Sequence, residues 1–380
     1  MTTSQIRRRP ESDGEDRPPA TLSYGDEFGP YVITGFAGCG ATSYVYRARR
    51  RDRFEPVAIK VLHPHLVADA SRRMTFYREA RIMMRIDHPN VVRFEEIIED
   101  GDTLAFVMEY VDGATLSQWR DKHHDGVDEM ALACVFVDIL RGVTAAHRQG
   151  VVHRDLKPGN ILIGTEDGRS VAKIIDFGVA RFVDDELTER EKSKIIGTAA
   201  YISPEEVDDP EAVGPASDIY SIGVMLYEAA CGQRPFDSGD IREILEAHAD
   251  ATPQRPGALN PALSTALEEV ILQTLDKSPT GRFSSAPEMI GALESALHRA
   301  QRAADEVPDT PAVDEMETRA WSRDGSSASR GARSSESAVN SFFRRCLKAA
   351  AMLVPSTGAE EGRDDGHYLN RSPDRGLPLR

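Results

Sequence analysis

The segment His153-Arg154-Asp155-Leu156-Lys157-Pro158-Gly159-Asn160 sets an acid, a lysine two residues on and an asparagine five residues on, all in one short stretch. Asp176-Phe177-Gly178 follows shortly after. At that spacing the side chains can converge in one tight loop. A carboxylate at Asp155 can orient an attacking hydroxyl and accept its proton. An ammonium at Lys157 can neutralise charge on a phosphate group. Asn160 and Asp176 are hard oxygen donors of the kind that suits Mg²⁺. Both strings in this order arise by chance too rarely for a merely structural account.

Two weaker signals precede them. Val57-Ala58-Ile59-Lys60 ends an apolar run on a lysine, and on its own such a lysine is usually a solvated strand end. A helical segment carrying Glu79 comes next, however, and a carboxylate there can pair with Lys60 and hold its ammonium toward phosphate oxygens. Upstream, Ala37-Gly38-Cys39-Gly40-Ala41-Thr42-Ser43-Tyr44-Val45 lies between two strand-like runs. Glycines let a hairpin offer backbone N–H groups to a phosphate at close range. A β-turn with no ligand answers to those residues equally well.

The elements that must position these groups change character once along the chain. YVITGFA, SYVYRA, PVAIKVL, VVRFEEIIED and LAFVMEY read as strands. Arg72 to Ile86, with apolar positions mostly three and four apart, interrupts them as a helix. After Gly113 the pattern turns mainly helical, through ALACVFVDILRGVTAAHRQG, SDIYSIGVMLYEAACG and LSTALEEVILQTLD. A small β-rich lobe followed by a larger helical lobe is expected, at residues 24–110 and 111–300. Residues 1–23 and 301–380 are polar and poor in large apolar side chains, so both are expected to be disordered. Segment 341–354 is the apolar, basic exception in that tail, an expected contact for a membrane surface, a partner or the globular domain itself.

Composition closes off several classes. The chain has 380 residues and a formal net charge of −16, which repels phosphate backbones and excludes nucleic acid as the principal partner. Four cysteines stand far apart with no close pair, as expected of reduced thiols. No apolar run of membrane-spanning length and no signal peptide is read, so the expected location is cytoplasmic.

On the residues quoted, residues 28–300 resemble the bacterial eukaryotic-like Ser/Thr protein kinases. The resemblance implies an α+β, bilobal protein-kinase fold with a five-stranded small lobe and ATP in the cleft. It implies that Gly38 and Gly40, within Ala37 to Val45, cover the phosphates, that Lys60 contacts them and that Glu79 fixes Lys60. Asp155 becomes the catalytic base with Lys157 beside it, and Asn160 and Asp176 hold Mg²⁺, with Mn²⁺ as a substitute. Val45, Ala58 and Leu162 sandwich the purine, Met108 is the gatekeeper, and Glu109 to Val111 form the hinge. Met83, Phe94, His153 and Phe177 resemble an apolar column between the lobes. Asp218 resembles an anchor for the catalytic loop, and Glu205 with Arg282 a buried ion pair. Lys157, and Thr198 contacting Asp155, match the Ser/Thr class, so partners are protein substrates. Thr188, Ser193 and Thr198 are candidate phosphosites, with Arg154 as the cation to receive a phosphate.

The pattern departs from the family at Ser43, where a third glycine is usual, and at Ser203-Pro204-Glu205, where Ala-Pro-Glu is usual. Both replacements are small. A pseudokinase scaffold and a small-molecule phosphotransferase are the rival readings. The first is opposed by retention of Lys60, Glu79, Asp155, Asn160 and Asp176. The second is opposed by Asp176-Phe177-Gly178 and by the segment from Thr198 to Glu205.

Overall fold

The computed structural model describes residues 22–123, 128–178, 181–182, 199–209 and 211–305. The segment 341–354 and the candidate phosphosites Thr188, Ser193 and Thr198 lie outside the described residues, as do most of 1–23 and 301–380.

The strand-like runs form β1 (Glu27–Phe28), β2 (Tyr31–Cys39), β3 (Ser43–Arg50) and β4 (Pro56–Leu62), followed by α1 (Pro64–Val67), α2 (Ala70–Met83), β5 (Phe94–Asp100) and β6 (Thr103–Glu109). These strands make one antiparallel sheet of six, in the order β1-β2-β3-β4-β6-β5. The expected five become six because Glu27 and Phe28 pair with Val32 and Tyr31. Phe28, fully buried, seals that edge of the small lobe's own core.

Helix α2 starts two residues earlier than its apolar periodicity suggests, because the Asp69 carboxylate caps the Ser71 and Arg72 amides. Its buried face carries Phe76, Glu79, Ala80, Ile82 and Met83. That row brings one acid, Glu79, inward among apolar neighbours, against β4.

The larger lobe comprises β7 (Gly113–Thr115), α3 (Leu116–Asp121), α4 (Glu129–Arg148), β8 (Val151–Val152), β9 (Ile161–Glu166), β10 (Arg169–Ile174), β11 (Arg181–Phe182), α5 (Pro204–Asp208), α6 (Pro215–Cys231), α7 (Ile241–Asp250), α8 (Pro256–Leu259), α9 (Thr265–Thr274) and α10 (Ala286–Asp305). Helix α4 is, among the described residues, the one helix long and apolar enough to cross a membrane, yet 67% of its apolar window is buried in the protein. It is the lobe's central core helix. At Gly142 it has no slack. A Cβ there would stand 2.7 Å from the Asn90 carbonyl oxygen and 3.0 Å from Ile174 Cδ1.

The two lobes are stitched by main chain. Val92 N–H donates to the Ile174 carbonyl at 2.9 Å, and Ile174 N–H donates to that of Asn90 at 3.0 Å. Asn90 Nδ2 adds a bond to the Ala172 carbonyl at 2.9 Å. A short segment of the small lobe thus runs beside β10, the strand that leads into Asp176.

Candidate active site

Two groups of sequence-predicted residues come together between the lobes. The first forms on β4, α2 and the segment after β10. Lys60 Nζ donates to Glu79 Oε1 at 2.5 Å and to Asp176 Oδ1 at 3.3 Å. Lys60 and Glu79 are both buried, while the Asp176 side chain keeps 37% of its surface exposed. Burial alone would push the Lys60 ammonium toward losing its proton, but the Asp176 and Glu79 carboxylates outweigh it and hold its pKa above the ordinary value. For Asp176, burial likewise opposes ionisation. Lys60 and the Gly178 N–H, 2.9 Å away, overcome it and bring the carboxyl down to about 2.

The second group forms in the loop between β8 and β9. Lys157 Nζ donates to Asp155 Oδ2 at 2.7 Å. Asn160 Nδ2 donates to the Asp155 carbonyl at 2.8 Å and to Oδ2 at 3.2 Å. With its amide nitrogen so engaged, Asn160 has its oxygen to offer a cation. The groups adjoin, since Ile175 N–H donates to the Asn160 carbonyl at 3.1 Å. The His153 ring also packs on Phe177 with centroids 4.8 Å apart. Burial lowers the pKa of His153 and favours its neutral form. Met83 and Phe177 belong to one core cluster, with Phe94 packed against it.

This loop is held under strain by Asp218, at the start of α6. Arg154 has φ +64°, a left-handed conformation that costs a non-glycine residue about 1–3 kcal/mol. Asp218 accepts the consecutive amides of His153 and Arg154, each at 2.9 Å, and His147 Nε2 at 2.7 Å. Burial disfavours its charge, but His147 and the loop amides hold its carboxyl below the usual range.

The apolar slot and the glycine loop border these groups. Ala58 and Met108 are buried and directly paired across β4 and β6. Val45, Val111 and Leu162 are only half-buried. The Glu109 carboxylate is turned away to Lys173, at 2.9 Å, so only main-chain atoms of Glu109 can serve a base. Gly38 and Gly40 have ordinary negative φ, and a Cβ would meet nothing within 4 Å at Gly38 and nothing closer than 3.7 Å at Gly40. Neither conformation nor packing within the protein calls for glycine there. Their open faces leave room for the close approach of a second molecule. Ser43 is buried at the first position of β3, where its carbonyl accepts from Gly40 N–H at 2.8 Å.

The donors also fit Mg²⁺. One ionised carboxylate and one amide oxygen are what a magnesium shared with phosphates takes from a protein. Among the described residues no three His, Cys, Asp or Glu converge as an all-protein metal cage.

Sequence reasoning did not find Lys173 or His147, and it takes His63 for a surface residue, whereas the structure buries it. Lys173 alone left a trace, as one cation inside the apolar run Val171 to Ile175. Thr198 lies outside the described residues.

The family model for the protein kinase domain matches residues 31–295. Serine/threonine-protein kinase PkaA of Streptomyces coelicolor is 35% identical over 261 residues, covering 66% of this chain and 48% of that protein. Pkn1 of Myxococcus xanthus is 31% identical over 343 residues, covering 88% and 49%. The chain thus spans about half the length of these curated relatives. The crystal structure of the Mycobacterium tuberculosis PknI kinase domain matches with a TM-score of 0.56 at 24% identity. That match covers 73% of this chain and 100% of that one, and it is a likeness of fold.

Proposed function

The chain belongs to the protein kinase family, and from that premise we propose that it transfers the γ-phosphoryl group of ATP to Ser and Thr hydroxyls of proteins, itself included. The observation that carries this reading is the adjacency of two clusters, Asp155 with Lys157 and Asn160, and Lys60 with Glu79 and Asp176.

Asp155 orients the incoming hydroxyl and takes its proton as the new O–P bond forms and the bond to ADP breaks. Lys157, beside it, offsets charge on the transferred group. Lys60, aimed by Glu79, steadies the α- and β-phosphates, and the glycine loop covers them with backbone N–H groups. Asp176 and the Asn160 oxygen would hold Mg²⁺, with Mn²⁺ as a substitute. Such a cation, when bound, neutralises phosphate charge and fixes the phosphates relative to the hydroxyl. Val45, Ala58, Met108, Val111 and Leu162 enclose the adenine, with main-chain atoms of the hinge as its hydrogen-bond partners. The same reading assigns residues 24–300 to catalysis and 301–380 to regulation or location, in a cytoplasmic protein. It assigns Thr188, Ser193 and Thr198 to phosphorylation, with Arg154 as a cation to pair with the phosphate.

The test is labelled ATP with Mg²⁺, followed by mapping of phosphorylated residues by mass spectrometry. Wild type should acquire label on Ser and Thr. Asp155→Asn should lose transfer by about 10²- to 10⁴-fold while still binding ATP, because the base acts on the hydroxyl. Undiminished transfer in that variant would sink the mechanism, and no transfer by wild type to itself or to a generic basic protein would sink the activity.

A further inference from the structure

The glycine loop is tied to β4, the strand that carries Lys60, at two points made by one residue. His63 immediately follows that strand. Its N–H donates to the Thr42 carbonyl at 2.8 Å, and its ring Nε2 lies 3.0 Å from the Gly40 carbonyl oxygen. A carbonyl can only accept, so Nε2 carries the hydrogen. Nδ1 is buried and without a hydrogen-bond partner among the described residues. The ring is held in place: His63 is 7% exposed, and the Tyr44 ring meets it edge-on with centroids 4.2 Å apart.

The consequence for the loop follows from peptide geometry. The Gly40–Ala41 peptide is planar and trans, so its C=O and N–H point in opposite directions. With the Gly40 oxygen drawn to His63, the Ala41 N–H points away from His63. It is exposed and has no acceptor among the described residues. Without the imidazole, glycine's freedom at position 40 lets this peptide turn over and present its oxygen where an anion needs a donor.

We propose that His63 is a positioning residue for nucleotide phosphates, latching the Gly40 carbonyl so that the loop keeps its N–H groups turned toward them. This rests on the kinase reading above. It differs from the roles of Lys60 and Asp155 because His63 touches neither nucleotide nor hydroxyl. It acts through the Gly40 peptide.

The test uses the full-length chain and calorimetric titration with two probes, MgATP and adenosine, which lacks the phosphates. His63→Ala and His63→Asn, the latter keeping an amide in the place of Nδ1 but none at Nε2, should each weaken MgATP by about 5- to 10-fold. Both should bind adenosine within about 2-fold of wild type. His63→Gln, whose amide NH₂ reaches the place of Nε2, should restore MgATP affinity to within about 2-fold. In turnover assays the KM for ATP should rise in the first two variants by the same factor, with kcat changed less than about 2-fold. Unaltered MgATP affinity in His63→Ala overturns the latch, as does a His63→Gln no better than alanine. An equal loss of adenosine affinity also overturns it, since that would mark general damage to the lobe. A wild-type chain that binds neither probe is a different result, and it overturns the kinase reading itself.

Discussion

Two buried ion pairs in this molecule look alike in composition and differ in how many donors they leave over. Arg282 is fully buried and makes five hydrogen bonds with its five N–H donors. Two go to the Glu205 oxygens at 2.8 Å each, and three go to the carbonyls of Ala216, Asp276 and Lys277. Glu205 also accepts from Ser217 Oγ at 2.6 Å, and its carboxyl stays below the usual range although burial opposes its charge. That pair is complete, with nothing left to offer a ligand. Lys60 has three donors and makes two unequal bonds among the described residues, and its more distant partner, Asp176, is partly open to solvent. The saturated pair holds segments together, and the unsaturated one can exchange partners. Saturation distinguishes framework from working site better than burial does.

The comparison can be broken at either end. Arg282→Ala should have the largest effect, leaving the Glu205 charge buried and unpaired at a cost of about 3–5 kcal/mol. The thermal midpoint should fall by roughly 10 °C, while molecules still folded at low temperature turn over near the wild-type rate. A midpoint unchanged in a melting experiment would show the pair to be dispensable framework. Next come Lys60→Ala and Asp176→Ala, each expected to lower kcat on the order of 10²-fold or more, with only a few degrees' change in melting, because Glu79, whose carboxyl burial pushes up to about 8, can take up a proton once Lys60 is gone. If melting accounts for all of that loss, the distinction between the two pairs collapses.

The smallest expected effect sharpens the framework end. His248 is fully buried in α7, with Nδ1 at 3.0 Å from Tyr220 Oη and Nε2 at 3.2 Å from the Ala200 carbonyl. Burial, helped by the cation of Lys277, lowers its pKa to about 4. In the unfolded chain a histidine titrates near 6.5, as a rough reference. Between those values the unfolded state binds more protons, so stability is full above that range and is lost as pH falls through it. His248→Gln should flatten that part of the stability curve, so that the gap between variant and wild type narrows from pH 7 to pH 4. Parallel curves by denaturant titration would remove His248 from the account.

How much of this was legible in the sequence depended on chain distance. Asp155, Lys157 and Asn160 converge within one short loop, so their spacing nearly describes their geometry. Glu79 was legible as a carboxylate on the helix after Lys60 that could pair with it, but not as the acid on the buried face of α2. The two-lobed fold was readable from the strand-like and helical runs, apart from β1, whose two residues are too few to carry a pattern. Contacts made by chain closure were not readable. Lys173 reaches Glu109 from 64 residues away and His147 reaches Asp218 from 71. His63 grips a carbonyl 23 residues upstream, and nothing in the order of side chains announces a main-chain acceptor.

The stitching at the rear of the cleft has a mechanical meaning. Residues 90–92 are bonded through their main chain to β10, and the Glu109–Lys173 ion pair adds a second fastening at the end of β6. A plate fixed to its base along one line keeps a single easy motion, rotation about that line. The small lobe is such a plate, and the glycine loop is part of the edge left unfastened. Widening the mouth of the cleft then demands no rupture at the back, only torsion of a few peptide units.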